Sequence, residues 1–122
     1  MSNFITAKAR IAYDKDNWMR AITSFDFKRL YAYFMLKKGV RLDIGSQYGC
    51  HISVIKGERP LYPEFWKYKN HKIIEFKYEP SPYGNNNKHV WVDVYCDELN
   101  EIRQKLGLQP RRKFHITIGR LI

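Results

Sequence analysis

The sequence predicts an α+β fold with a mostly antiparallel sheet, on the basis of three observations. Strand-like and helix-like segments are intermixed along the chain. Residues 71–96 contain two runs of alternating apolar and polar side chains around a turn rich in Pro, Gly and Asn, which is typical of a β-hairpin. The chain has 122 residues, 44% of them hydrophobic, so we expect one packed domain over residues 1–122.

Periodicity in the sequence predicts five strands and three helices. In the second strand of the hairpin, for example, Val90, Val92 and Val94 are expected on one face, with the intervening residues on the other. The strands are expected at residues 4–13, 50–56, 71–79, 88–96 and 113–121. The helices are expected at residues 25–38, 63–69 and 98–106.

Capping residues mark the ends of two of these helices. Ser24 can cap the first helix, and Gly39 ends it. Asp97 can cap the last helix, and Gly107 occupies the position after its end. Residues 14–22 are ambiguous, with a helical turn as one interpretation.

Charge points to an anionic partner. The chain has 22 Lys and Arg residues against 12 Asp and Glu, a formal net charge of +10. Such an excess is typical of proteins that meet nucleic acid, nucleotides or a membrane surface, although a basic protein without such a partner remains an alternative. No apolar run approaches the roughly 18–20 residues of a membrane span, and the first residues lack a signal-peptide pattern. We therefore expect a cytoplasmic protein with no membrane partner.

The cysteines and histidines show no metal-binding pattern. The two cysteines, Cys50 and Cys96, are not in a Cys-x-x-Cys pair, and the four histidines have no zinc-site spacing. We expect neither a bound metal nor another cofactor. Cys50 precedes His51, so a Cys–His nucleophile pair is an alternative, but consecutive strand residues face opposite sides, which favours a buried cysteine.

Two short segments carry the chemistry. Residues 51–55, His-Ile-Ser-Val-Ile, and residues 115–119, His-Ile-Thr-Ile-Gly, lie 64 residues apart and share the order His, apolar, hydroxyl, apolar. In a strand, the imidazole and the hydroxyl of each segment face the same side, and the isoleucine between them faces the core. If the two strands are neighbours, two imidazoles and two hydroxyls converge.

This set of groups suits phosphodiester cleavage. A neutral imidazole can take a proton from the attacking hydroxyl, and a protonated one can give a proton to the leaving oxygen. The hydroxyls can donate hydrogen bonds to the phosphate as charge develops. Which histidine is the base stays open. The other histidines, His71 and His89, have no hydroxyl two residues on and are interpreted as surface or hairpin residues.

The paired motifs resemble those of the 2H phosphoesterase family. Its members include RNA 2′,3′-cyclic-phosphate esterases, viral 2′,5′-oligoadenylate phosphodiesterases and RNA-repair-like phage proteins. Among the last are anti-CBASS nucleases, which destroy the cyclic oligonucleotide signals of bacterial defence, and the short chain resembles this branch most. The resemblance implies a bilobal fold with the two motif strands lining a central cleft. It also implies that His51 and His115 are the acid/base pair and that Ser53 and Thr117 bind the phosphate.

Other residues are candidates for substrate contacts. Aromatic side chains near basic ones can stack nucleobases, and the preferred candidates are Tyr13, Tyr48 and Trp91. Basic residues beside the second motif can steer phosphates toward it. These are Arg111, Arg112, Lys113 and Arg120.

The hypothesis favoured by the sequence is a metal-independent phosphodiesterase that hydrolyses cyclic oligonucleotide messengers through attack by a 2′-hydroxyl. An enzyme that opens RNA 2′,3′-cyclic phosphates or cuts 2′,5′ bonds is the first alternative. A non-catalytic module that binds RNA or nucleotides is an alternative from another class.

Overall fold

A mostly antiparallel sheet with two α-helices forms the fold, which confirms the predicted α+β class. The computed structural model describes residues 4–24, 26–44, 50–80, 83–84 and 89–121. The strands within these ranges are β1 (Ile5–Asp14), β2 (Trp18–Ile22), β3 (Leu42–Asp43), β4 (His51–Lys56), β5 (Ile73–Tyr78), β6 (Tyr83–Gly84), β7 (His89–Tyr95) and β8 (Phe114–Leu121). The helices are α1 (Asp26–Lys37) and α2 (Asp97–Lys105), with a short 3₁₀ turn at Pro63–Phe65.

The last strand closes the sheet into a barrel-like shape. The sheet runs β8–β4–β2–β1–β5–β7, and β7 returns to β8 along its other edge. At Ile116 the strand β8 has a partner on both sides, Ile52 of β4 and Val92 of β7. Further along, β3 takes the place of β4 beside β8. Closure leaves β4 and β8, the two motif strands, as neighbours.

Inward-facing side chains and both helices build the core. Alternate residues of the strands are fully buried, as Ile11, Ile52 and Ile116 show. Helix α1 contributes Tyr31, whose ring packs against Tyr78 of β5. Helix α2 contributes an apolar stripe with the i, i+3, i+7 spacing of one helix face, Leu99, Ile102 and Leu106.

One buried arginine ties α2 to β4. Arg103 is 3% exposed, and its guanidinium donates hydrogen bonds to the backbone carbonyl of Val54 at 2.8 Å and to both carboxylate oxygens of Glu58. Its Nε also donates to the carbonyl of Gln109. Because the side chain is almost fully buried, these partners satisfy a charge that would otherwise be costly to bury.

Several local predictions differ from the structure. The N-cap of α2 is Cys96, so Asp97 is the first residue of the helix and not its cap. The helical-turn interpretation of residues 14–22 is wrong, because Asp16 and Asn17 adopt positive φ and turn β1 back into β2. The expected helix at 63–69 is only the 3₁₀ turn, since Lys67 and Lys69 also have positive φ.

The predicted hairpin over residues 71–96 is only partly formed by β5. Lys77 and Tyr78 pair with Tyr95 and Val94, after which β6 continues the pairing with β7. The other edge of β7 pairs with β8, so β7 also closes the barrel. Most of the expected Pro-, Gly- and Asn-rich turn, at residues 81–87, lies outside the described residues.

Removal of the buried guanidinium should destabilise the fold. Arg103→Met leaves the Val54 and Gln109 carbonyls without their donor and should lower the free energy of unfolding by about 3 kcal/mol. The exposed neighbour Gln104→Met is the matched control and should change it by less than about 0.5 kcal/mol. Urea unfolding at pH 7 measures both variants, and equal stability of the two would contradict the role of Arg103.

Candidate active site

The two motif strands lie side by side, as predicted. Ile52 pairs with Ile116 in antiparallel register, and both are fully buried. On the opposite face, this register sets His51 across from Thr117 and Ser53 across from His115. The two imidazoles therefore lie on a diagonal, and each has a hydroxyl from the other strand as its neighbour.

Both motif strands carry a β-bulge at the residue after the hydroxyl. In β4, Arg20 pairs with Ser53 and Met19 with Ile55, so Val54 is left unpaired. In β8, Trp91 pairs with Thr117 and Val90 with Gly119, so Ile118 is left unpaired. Both bulge residues are fully buried. A bulge shifts the alternation of side chains by one residue, so the faces of each strand exchange beyond it.

The outer strands β2 and β7 add charged groups to the same face. Arg20 is the register partner of Ser53 on one side, and Asp93 is the register partner of His115 on the other. Asp93 is 3% exposed and forms an ion pair with Lys113, with Oδ2 and Nζ 3.1 Å apart. A cationic side chain thus flanks the first motif, and a carboxylate flanks the second.

Each histidine also contacts a tryptophan. The Trp18 ring meets His51 edge to face with centroids 5.6 Å apart, and the Trp91 ring meets His115 at 6.4 Å. Arg20 stacks over Trp18, with its Cζ 4.7 Å from the ring centroid. These contacts fix the two indoles on opposite sides of the histidine pair.

Polar contacts beyond this pair set the positions of both indoles. The indole nitrogen of Trp91 donates a hydrogen bond to Asp93 Oδ1 at 3.2 Å. On the other side, the Nε of Arg20 lies 2.7 Å from a carboxylate oxygen of Asp14, which holds the guanidinium that stacks on Trp18.

An open cavity lies over β7 and β8. Its volume is about 460 Å³, within the range of small-molecule sites. His51 and Ser53 stand on the neighbouring strand beside it. The cavity is lined by His89, Trp91, Asp93, Lys113, Phe114, His115 and Thr117.

The surroundings of His115 favour its neutral form. Part of the ring reaches solvent, but burial of the remainder lowers the pKa of His115 below its usual 6.5. The Asp93 carboxylate acts in the opposite direction, while the charges of Arg111 and Lys56 lower the pKa further. A neutral imidazole at pH 7 is able to accept a proton, which is what a general base requires.

The aromatic candidates from the sequence divide into three cases. Trp91 lines the cavity. Tyr13 lies on the core-facing side of β1, where its ring packs against Trp66 at 4.8 Å and its hydroxyl donates to the Tyr68 carbonyl, so it is not brought to the histidines. Burial at this position also raises the pKa of the Tyr13 hydroxyl. Tyr48 lies outside the described residues.

The basic candidates are spread around the second motif. Lys113 lines the cavity, whereas Arg111 forms an ion pair with Glu58 at 3.1 Å while still acting on the charge of His115. Arg112 is exposed in the segment before β8. Arg120 is the register partner of His89, and the bulge at Ile118 sets it on the face of the histidines.

Several residues of this face were not selected from the sequence. His89 lines the cavity, in contrast to its interpretation as a surface or hairpin residue. Trp18, Arg20 and Asp93 also reach the site because their strands pair with the motif strands. Asp93 could have been found, because it alternates with the buried valines on the face shared with Trp91. His71 remains exposed and lies 3.2 Å from Arg10 through its Nδ1.

The alternative nucleophile is buried. Cys50 has no exposed surface, and burial raises the pKa of its thiol to about 11, so the reactive thiolate is disfavoured. Within the described ranges, no group of three or more His, Cys, Asp and Glu side chains is arranged to hold a metal ion. No helix among the described residues is long and apolar enough to cross a membrane.

Two diagonal imidazoles with two hydroxyls, between two indoles, are groups that suit the binding of a phosphate ester and proton transfer to and from it. In a comparison with protein-family models, residues 36–121 match "Swiss Army Knife, 2H phosphoesterase domain". The chain belongs to the 2H phosphoesterase family and is a phosphodiester hydrolase. The alternative of a non-catalytic binding module is therefore not retained. Searches of curated proteins and of solved structures gave no match.

The titration of His115 should respond to its carboxylate neighbour. Asp93→Asn keeps the acceptor for Trp91 but removes the negative charge that raises the pKa of His115, so this pKa should fall further. An NMR pH titration of the His115 ring measures the change. Lys38→Gln alters the charge in the turn after α1 and should leave the titration as in the unmodified protein. An upward shift in Asp93→Asn would contradict the assigned electrostatics.

Proposed function

We propose that the protein cleaves a ribonucleotide phosphodiester by attack of the neighbouring 2′-hydroxyl, with His115 as general base and His51 as general acid. The single observation that carries this proposal is the register that sets His51 across from Thr117 and Ser53 across from His115. A phosphate above the centre of this square would have an imidazole and a hydroxyl on each side. That is the arrangement that an in-line displacement with two proton transfers requires.

The proposed roles follow from the surroundings of each histidine. His115, whose lowered pKa keeps it neutral, takes the proton of the 2′-hydroxyl as its oxygen attacks phosphorus. His51 gives a proton to the 5′-oxygen as the P–O bond breaks. The products are a 2′,3′-cyclic phosphate and a free 5′-hydroxyl. Ser53 and Thr117 donate hydrogen bonds to the non-bridging oxygens, where negative charge increases in the transition state.

The cavity wall provides a place for a nucleobase. Trp91 lines the cavity beside Thr117, its register partner, and its position is held by the hydrogen bond to Asp93. A base stacked on this indole would be next to the phosphate-binding hydroxyl. Arg120 and Lys113, with the net charge of +10, would attract the anionic substrate to this face.

Within this class, we propose cyclic oligonucleotide messengers as the substrate. The support is the resemblance of the short, basic chain to phage anti-CBASS proteins, together with a cavity of about 460 Å³ that suits a compact nucleotide. Such a protein would act in the cytoplasm of the infected cell and counter its CBASS-type defence. RNA 2′,3′-cyclic phosphates, which water would open, and 2′,5′ bonds, where the 3′-hydroxyl would attack, belong in the same substrate panel.

Removal of either imidazole should abolish most of the activity. His51→Ala and His115→Ala should each lower kcat/KM by about 10² to 10⁴, the usual contribution of acid–base catalysis. The double variant should lose much less than the product of the two effects, because the groups act as one unit. His71→Ala, which changes an exposed histidine elsewhere, is the control and should keep full turnover. Near-normal turnover of either active-site variant on its substrate would refute the two-histidine mechanism.

The nucleophile and the substrate class can be tested together. Cyclic dinucleotides, cyclic trinucleotides, 2′,3′-cyclic-phosphate RNA and 2′,5′-linked adenylates are incubated with the protein in excess EDTA and analysed by chromatography. We expect cleavage to persist with the chelator and ribose substrates to yield a 2′,3′-cyclic phosphate first. A substrate with 2′-deoxyribose at the attacking position should bind without being cut. Its cleavage at a comparable rate would mean that water attacks directly.

A further inference from the structure

The repeated motif extends one residue beyond the two five-residue segments 51–55 and 115–119. Residues 51–56 and 115–120 both end with a basic side chain, Lys56 in the first copy and Arg120 in the second. Simple alternation from His51 would point Ile55 outward and Lys56 into the core. The bulge at Val54 reverses this, since Ile55 is fully buried and Lys56 is exposed.

The position of Lys56 on the histidine face is supported by its contacts. Its register partner is Trp18, and its Nζ lies 5.9 Å from the centroid of that ring. Trp18 in turn contacts His51. The charge of Lys56 is also close enough to His115 to act on its protonation. Lys56 therefore lies on the histidine face, at the end of the site nearer to Ser53 and His115.

The charge of Lys56 is not balanced by a carboxylate among the described residues. Three other cations near the histidines have such a partner. Arg20 pairs with Asp14, Arg111 with Glu58 and Lys113 with Asp93. No ion pair of the described ranges includes Lys56. An ammonium that is held beside the site and left without a carboxylate is available to a ligand anion.

We propose that Lys56 binds a second phosphate of the substrate, on the 5′ side of the nucleotide that carries the attacking 2′-hydroxyl. This rests on the proposed function, because His115 as base places that nucleotide at the Lys56 end of the site. The scissile phosphate occupies the hydroxyls at the centre, and the next phosphate meets the ammonium. The preferred substrate class is then an internucleotide linkage with a flanking 5′-phosphate, in a linear or cyclic oligonucleotide, over an isolated 2′,3′-cyclic mononucleotide.

Three dinucleotides separate this role from a general charge effect. The uncleavable probes d(ApA), d(pApA) and d(ApAp) carry no flanking phosphate, a 5′-phosphate and a 3′-phosphate, respectively. Binding is followed by tryptophan fluorescence, and turnover is measured with the ribose forms. In the unmodified protein, d(pApA) should bind about tenfold more tightly than d(ApA), as expected for one charge-assisted hydrogen bond. Lys56→Gln should remove this advantage, and Lys56→Arg should restore most of it.

The controls make the outcome decisive. Lys38→Gln removes the same charge away from the site and should keep the advantage of d(pApA). Lys56→Gln should also move the acid limb of the kcat/KM profile to higher pH, because one charge that lowers the pKa of His115 is gone. An advantage of d(pApA) that survives in Lys56→Gln, or a selective loss for d(ApAp), would overturn the proposal. Failure of the proposed function shows separately, as absent turnover of ribose dinucleotides with unchanged binding ratios.

Discussion

The antiparallel pairing of Ile52 with Ile116 joins the two ends of the sheet, and the arrangement of the candidate site depends on it. Ile116 is held from the other side by Val92, so the strand between them has hydrogen-bonding partners on both edges. All three side chains are fully buried, which sets the register firmly, because a slip by one residue would move every isoleucine out and every histidine in. The apolar residues of the two motifs thereby position the polar ones.

The two halves of the site are alike in backbone and different in charge. Each motif strand has the same bulge after its hydroxyl and an indole against its imidazole. The neighbouring strands break this symmetry, since β2 supplies Arg20 and β7 supplies Asp93. These differing neighbours give each imidazole a different electrostatic environment.

The sequence predicted the parts of the site that depend on short-range alternation. The outward direction of both histidines and both hydroxyls follows from period two in each strand, and so does the buried side of Cys50. The bulges could not be predicted in this way. The Val54 carbonyl accepts a hydrogen bond from Arg103, which lies 49 residues away on α2. No local sequence pattern predicts that contact. Lys56 was missed for the same reason, because its direction depends on the bulge.

Long-range packing also explains the aromatic residues. Tyr13 was a candidate for base stacking because it is aromatic. Its ring instead packs in the interior against Trp66, which lies 53 residues further along the chain. Trp18 lay in a segment that was ambiguous before the β1–β2 turn was known. Trp18 reaches the site only because β2 pairs with β4. Strand order decides which aromatic residues reach the histidines, and local periodicity does not predict strand order.

The closure of the barrel by β8 has a consequence for the order of folding. This strand supplies one imidazole, one hydroxyl and part of the cavity wall, and it pairs with strands that begin 63 and 25 residues earlier. Pairing over such separations is a slow step, because chain entropy is lost in closing the loop before the stabilising contacts form. During synthesis, the earlier strands can associate while His115 and Thr117 are still in the ribosome. The two histidines and the two hydroxyls therefore come together only when β8 docks.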